Sequence, residues 1–164
     1  MAKPVIPAVM QKFASTRIGS WCFARLLPQT DSIFLRLTFG KSTLTSFLAG
    51  LPVVYVTSLG AKSNQPRTNP LLPIYLPGTT DVFAIIGTNF GQNHFPGWYF
   101  NLRKTPEAKC RIRQQTKDYT AREAEGEEYN RFWDSALGVY AGYGNYRQRI
   151  KGRHIPIMVM TPKG

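Results

Sequence analysis

Reactive side chains are scarce in this chain. Its 164 residues include only two cysteines and two histidines. Cys22 and Cys110 are too few for a disulfide framework or a zinc cluster. Neither His94 nor His154 stands at metal-ligand spacing from cysteines or carboxylates, so no metal site is expected. No stretch approaches the roughly 18 consecutive apolar residues of a membrane span. The longest candidate, Phe47 to Leu59, is broken by Gly50 and Pro52. Lys3, Lys12, Arg17 and Arg25 are spread through the first residues with no compact apolar stretch after them, unlike a secretory signal. The expectation is a cytosolic protein with reduced thiols. Dinucleotide, P-loop and nucleophile-elbow glycine patterns are missing, as are repeats and low-complexity tracts.

Acids are the other shortage. Nine Asp and Glu face 21 Lys and Arg, for a formal charge of +12. That surplus calls for an anionic partner: nucleic acid, an acidic membrane face or a polyanionic ligand. At 43% apolar and 18% charged residues, the chain has the composition of a folded protein.

Apolar spacing suggests a helix over 11–27, with Ala14, Ile18, Trp21 and Cys22 on one face. Two readings fit it: a helix packed on the body of the protein, or one lying on anionic lipid with Arg17 and Arg25 beside its aromatics. A second helix is expected over 32–48. Together these make residues 1–50 a helical extension to a domain at 51–164. Strands are expected at Val53–Thr57, Pro70–Leu76, Val82–Ile86, Ala108–Ile112, Tyr119–Ala124 and Ile155–Met160. Short helices are expected at Trp98–Lys104 and from Glu125 through Leu137, and loops at 60–67 and 87–97. The run of hairpin-like strands implies a mainly β fold: a small, largely antiparallel barrel of about six strands with flanking helices.

Three features carry chemical interest. Lys62, Ser63, Asn64, Gln65 and Arg67 share a polar loop after a strand, the components of a phosphate or carboxylate cradle, or else an ordinary solvated turn. In Pro96-Gly97-Trp98-Tyr99-Phe100-Asn101-Leu102 the aromatics suit a helix entering the core, and Asn101 could offer its amide to a ligand or to a loop. Tyr140, Tyr143 and Tyr146 recur every third residue around Gly142 and Gly144. They could wall a pocket, supplying apolar faces and hydroxyls that donate protons, or they could snorkel on a surface helix pair. The acids at 123–128 suit a helix N-terminus better than a catalytic pair. An enzyme of this composition would leave the chemistry to a cofactor.

In order along the chain, Leu51-Pro52-Val53-Val54, Gly60-Ala61-Lys62-Ser63-Asn64-Gln65-Pro66-Arg67, Asn69-Pro70-Leu71, Pro96 to Leu102 with Pro106, Ala121-Arg122-Glu123-Ala124, Glu127-Glu128, Tyr143-Gly144-Asn145-Tyr146 and Arg153-His154-Ile155-Pro156-Ile157 together resemble the deazaflavin-dependent nitroreductase family, split β-barrel oxidoreductases that use reduced coenzyme F-420. The resemblance implies that the coenzyme's phosphate and polyglutamate tail lie along Lys62, Ser63, Asn64, Gln65, Pro66, Arg67, Asn69, Pro70 and Leu71. It implies that Thr88, Asn89, Phe90 and Gly91 line the deazaflavin, with Trp98 and Asn101 in the same cleft. Tyr140, Tyr143 and Tyr146 would form the catalytic substrate wall. The family loop usually reads Gly-Arg-Lys-Ser-Gly, so here one cation is lost at Ala61 and a glycine suited to a left-handed backbone is replaced by Asn64, which can adopt that conformation too. Thr88-Asn89-Phe90-Gly91 departs from the family's Ser-Lys-Gly-Gly by losing a cation and gaining a bulky ring.

The implied activity is hydride transfer from the reduced coenzyme to a small-molecule acceptor: a quinone, an activated alkene or a nitroaromatic. FMN is the weaker cofactor candidate. The alternative is a carrier that binds deazaflavin or flavin without chemistry. No nucleic-acid partner is expected, because the aromatics do not interleave with the basic residues as a stacking platform would. The remaining expected partner is the inner face of the cell membrane, in peripheral contact.

Overall fold

A computed structural model describes residues 52–164. The helices expected over 11–27 and 32–48, and the extension 1–50 that they define, lie outside the described residues. The elements run β1 (Val54–Leu59), β2 (Pro66–Leu71), β3 (Phe83–Ile86), a 3-10 turn at Asn89–Gly91, α1 (Gly97–Lys104), β4 (Glu107–Ile112), β5 (Gln115–Glu123), α2 (Gly126–Val139), α3 (Gly142–Arg149) and β6 (Ile157–Pro162). The strands form one six-stranded sheet in the order β2-β1-β4-β5-β6-β3. Each pairing is antiparallel. The expected class therefore holds for the described residues.

The chain leaves β2 at one edge of the sheet and reaches β3 at the other. On the way Ile74 and Ala84 exchange backbone hydrogen bonds of 2.8 Å. This bridge ties the segment that follows one edge strand to the opposite edge strand, which curls the sheet into a half-barrel. Pro66 and Pro70 lack an N–H, and β2 is an edge strand, where that donor is not needed. The loop expected over 60–67 is shorter, and the strand expected at 70–76 begins earlier and ends at Leu71. The cause is register: Ser58 and Leu59 of β1 face Arg67 and Pro66, so the ladder starts there. Past Leu71, Pro73 interrupts it and leaves only the Ile74 bridge.

Period-two alternation loads both faces of the sheet. Phe83 and Ile85, with Met158 and Met160, join Trp98, Tyr99 and Leu102 of α1 in one core. Their neighbours Ala84 and Ile86, with Ile157 and Val159, join Phe132, Trp133, Tyr143 and Tyr146 of α2 and α3 in a second. β3 and most of β6 are thus buried on both sides, and full burial of each large aliphatic contributes roughly 1.5–3 kcal/mol. β4 obeys the expected half-buried pattern: Ala108 and Cys110 point inward, and Lys109 lies outward opposite Asp118 of β5, 2.8 Å away. Burial pushes the Cys110 thiol up to about 12, so it is an inert core residue.

Gly142 to Arg149 forms a regular helix where a glycine-loosened segment was expected. Gly142 is there because a Cβ would run into the ring of Tyr140. Among the described residues no helix is long and apolar enough to cross a membrane, and no group of three or more His, Cys, Asp or Glu is placed to hold a metal ion.

Arg122 grips Glu128 with two hydrogen bonds of 2.6 and 2.7 Å, tying the end of β5 to the first turn of α2. This contact holds the Glu128 carboxyl below its ordinary value of 4.5. The stabilisation is complete above that value and is lost as pH falls through the lower folded one. Because the pair is substantially solvated, it contributes under about 1 kcal/mol. Glu128→Gln should therefore lower the thermal midpoint slightly at pH 7, and by progressively less as the pH is taken down through the carboxylate range, as measured by thermal unfolding at a series of pH values.

Candidate coenzyme site

The polar loop between β1 and β2 is a closed turn. The Gly60 N–H donates to Gln65 O (2.9 Å) and the Asn64 N–H to Gly60 O (2.8 Å). Asn64 has φ 55°, the left-handed conformation that its place in the motif requires. Gly60 has no room for a side chain, since a Cβ would sit 2.6 Å from Ser63 Oγ and 3.3 Å from Gln65 O. Lys62, Ser63, Asn64, Gln65, Pro66 and Arg67 are exposed, and Asn69, Pro70 and Leu71 are half-buried along β2. Among the described residues neither Lys62 nor Arg67 is in an ion pair.

What fixes this turn is α1. Its Trp98, Tyr99 and Leu102 are buried, which places Asn101 beside the apolar face and toward the turn. Asn101 Oδ1 accepts the Ala61 N–H (2.9 Å), and Nδ2 donates to Ser58 Oγ (3.4 Å), a hydroxyl that is itself buried. Lys104 Nζ donates to Ala61 O (2.6 Å). Of the two roles open to Asn101 in the sequence, the geometry fills the loop-holding one. Trp98 is a core residue, 6% exposed.

The second group surrounds Thr88–Gly91. Thr88 is buried, and Asn89, Phe90 and Gly91 take φ of 47°, 56° and 82°. Two non-glycine residues in succession in this region amount to stored strain, roughly 1–3 kcal/mol each. Gly91 needs to be glycine both for its φ and for space: a Cβ would meet Arg149 Cδ at 3.3 Å and Tyr146 Cα at 3.4 Å. The Phe90 ring stands edge-on to Tyr146, with centroids 6.4 Å apart. The structure thus brings Thr88–Gly91 against α3, as it brings the Lys62 turn against α1.

Of the three tyrosines, Tyr143 and Tyr146 are both buried in the second core. Tyr143 packs on Trp133 there, and burial drives its phenol well above the ordinary range. Its ring also meets those of Tyr140 and Tyr146, with centroids 5.6 and 6.4 Å away. Tyr146 is 4% exposed, and its hydroxyl lies 3.3 Å from that of half-buried Tyr140. Burial raises the Tyr140 phenol too, against the lowering influence of the Tyr146 hydrogen bond and Arg149.

Several residues escaped the sequence reading. Arg153 donates five hydrogen bonds, four of them to the carbonyls of Gly87, Thr88 and Gln92 and one to His154 O. Glu123 accepts from Tyr99 Oη (3.0 Å) and lies 2.9 Å from His154 Nε2, and Glu128 holds Arg122. These two acids therefore make tertiary links beyond their place near a helix start. The one signal for Arg153 was its presence in the last motif.

Replacing Asn101 by Ala strands the Ala61 N–H and should cost about 1–3 kcal/mol. Asn101→Asp keeps the Oδ1 acceptor and should recover much of that loss. Chemical denaturation, with amide exchange at Ala61, reads both.

A model of the F420H(2)-dependent quinone reductase family matches residues 32–162. The F420H(2)-dependent quinone reductase of Mycobacterium tuberculosis is 30% identical over 113 residues, covering 67% of this chain and 73% of that protein. A protein of Mycobacterium bovis named as a putative enzyme of the same kind matches to the same extent. Among solved structures, an F420-H2 dependent reductase is 33% identical, with a TM-score of 0.59 over 66% of this chain and 93% of that one. A domain-swapped dimer is 31% identical, with a TM-score of 0.61 over 81% and 94%. The chain belongs to the F420H(2)-dependent quinone reductase family and is an oxidoreductase that takes its electrons from reduced coenzyme F-420.

Proposed function

We propose that this protein reduces a flat, electron-poor acceptor, with a quinone as the first candidate and activated alkenes and nitroaromatics as others. The coenzyme's acidic tail would be held by Lys62, Ser63 and Arg67, with Asn69, Pro70 and Leu71 alongside. Thr88–Gly91 would line its ring. The carrying observation is that both segments are fixed from behind, by Asn101 and by Arg153, while Lys62, Ser63, Arg67 and Phe90 remain exposed. An exposed cationic turn suits a ligand with several carboxylates and a phosphate.

When bound, the reduced deazaflavin supplies a hydride. The chain's own contribution is orientation, which makes the transfer effectively unimolecular. Tyr140, raised by burial, stays a neutral phenol near pH 7 and is a proton donor rather than a base. Its hydroxyl and that of Tyr146 form a pair through which a proton can be held and replaced. Tyr143 would contribute by packing Trp133 behind this pair.

The purified protein, mixed with reduced F-420 and menadione, should oxidise the coenzyme, as followed by deazaflavin absorbance. Tight F-420 binding without turnover on a panel of acceptors would return the carrier reading. Lys62→Ala and Arg67→Ala should each raise the coenzyme Kd about tenfold, in line with one charge-assisted hydrogen bond. Tyr146→Phe should lower kcat by about tenfold or more while coenzyme Kd changes less. The same reading places the acceptor in lipid, because Arg17 and Arg25 flank Trp21 and Phe23 in a pattern suited to an anionic surface. Vesicles rich in anionic lipid should sediment the full chain, and zwitterionic vesicles should not.

A further inference from the structure

Arg153 is half-buried between the end of α3 and the start of β6. Its guanidinium reaches Gly87 O at 3.2 Å, Thr88 O at 3.1 Å, Gln92 O at 2.8 and 3.2 Å, and His154 O at 3.0 Å. The partners are backbone carbonyls, and three of the four bracket the left-handed residues Asn89, Phe90 and Gly91. The cation lies 4.9 Å from the centroid of the Phe95 ring, which gives the planar fork a backing surface. At the entry to the turn, Pro156 O accepts the Gly87 N–H at 2.8 Å. The segment carrying Arg153 therefore holds the turn from two directions.

A turn with φ of 56° at a phenylalanine relaxes unless its surroundings over-determine it. Four hydrogen bonds from one rigid plane, spread over carbonyls on both sides of the strained residues, are such a constraint. Lysine cannot replace it, since an ammonium is a point donor and cannot span both ends of the turn. The strain has a visible result: Phe90 stays 36% exposed with its ring edge-on to Tyr146 instead of folding into a core.

We propose that Arg153 is a positioning residue of the coenzyme site, acting by holding Asn89–Phe90–Gly91 in their left-handed conformation. It touches neither coenzyme nor acceptor in this role. The proposal rests on the reading that Thr88–Gly91 lines the coenzyme.

A double-mutant cycle tests it. Glycine adopts positive φ without steric cost, so Phe90→Gly removes much of the strain that Arg153 restrains. Arg153→Met should speed amide exchange at residues 88–92 in the parent protein and should do so several-fold less in the Phe90→Gly background. In the parent background Arg153→Met should raise the F-420 Kd about tenfold, within the roughly hundredfold that loss of positioning can cost. Arg153→Lys should behave like Arg153→Met.

Equal exchange effects in both backgrounds would overturn the proposal and leave Arg153 as a packing residue. Coupled exchange with an unchanged F-420 Kd, while Lys62→Ala and Arg67→Ala still weaken binding, would also overturn it, with the coenzyme reading intact. Absence of F-420 binding by the parent protein would remove the coenzyme reading and this proposal together. If Arg153→Met does not fold, Arg153→Gln takes its place: it keeps a planar donor group, and the same coupling to Phe90 decides the outcome.

Discussion

The structure depends on a sheet whose β3–β6 side is buried on both faces and whose two edges are tied by a single bridge. Ile74 and Ala84 join the segment after β2 to β3, and the curl that results gives the sheet an inside and an outside. α1 fills one side and α2 with α3 covers the other. The two segments proposed to hold the coenzyme sit where a loop leaves this frame and meets a helix. The Lys62 turn meets α1, and the Phe90 turn meets α3.

In both places the same device recurs. A polar side chain with more than one hydrogen-bonding atom, set in or beside the core, satisfies backbone groups of a loop that has no regular partner. Asn101 does this with one acceptor and one donor, and Arg153 with a fork of donors only. Buried backbone groups must be paired, so each side chain carries a stability role and a placement role together. That duality explains why neither residue looks catalytic in isolation. It also separates them from Lys62 and Arg67, which are exposed and whose charge is available to a ligand.

The tyrosine segment spans a helix boundary. Tyr140 caps the end of α2 and Tyr143 and Tyr146 stand on α3, with the three rings in mutual contact at centroid distances of 5.6, 6.1 and 6.4 Å. Tyr143 turns into the apolar cluster beside Trp133, and the hydroxyls of Tyr140 and Tyr146 meet each other. That pair lies close to the strained turn, where the Phe90 ring stands edge-on to Tyr146.

Within the described residues, the fold class followed from local pattern: alternation at Ala108 to Ile112, β-branched runs at Val53 to Thr57, and the aromatic start of α1. These are short-range consequences of side-chain period, and sequence carries them directly. At Asn64 the sequence showed only that a left-handed backbone was open to the residue, and the closed turn is what selects it. The start of β2 at Pro66 did not follow, since it depends on register with β1. Neither did the helix at 142–149, where two glycines masked a segment stabilised by packing on α2. The division of labour between Asn101 and Arg153 was set by tertiary contact alone. The backbone groups that they hold lie up to 66 residues away in the chain, and no local spacing encodes such a meeting.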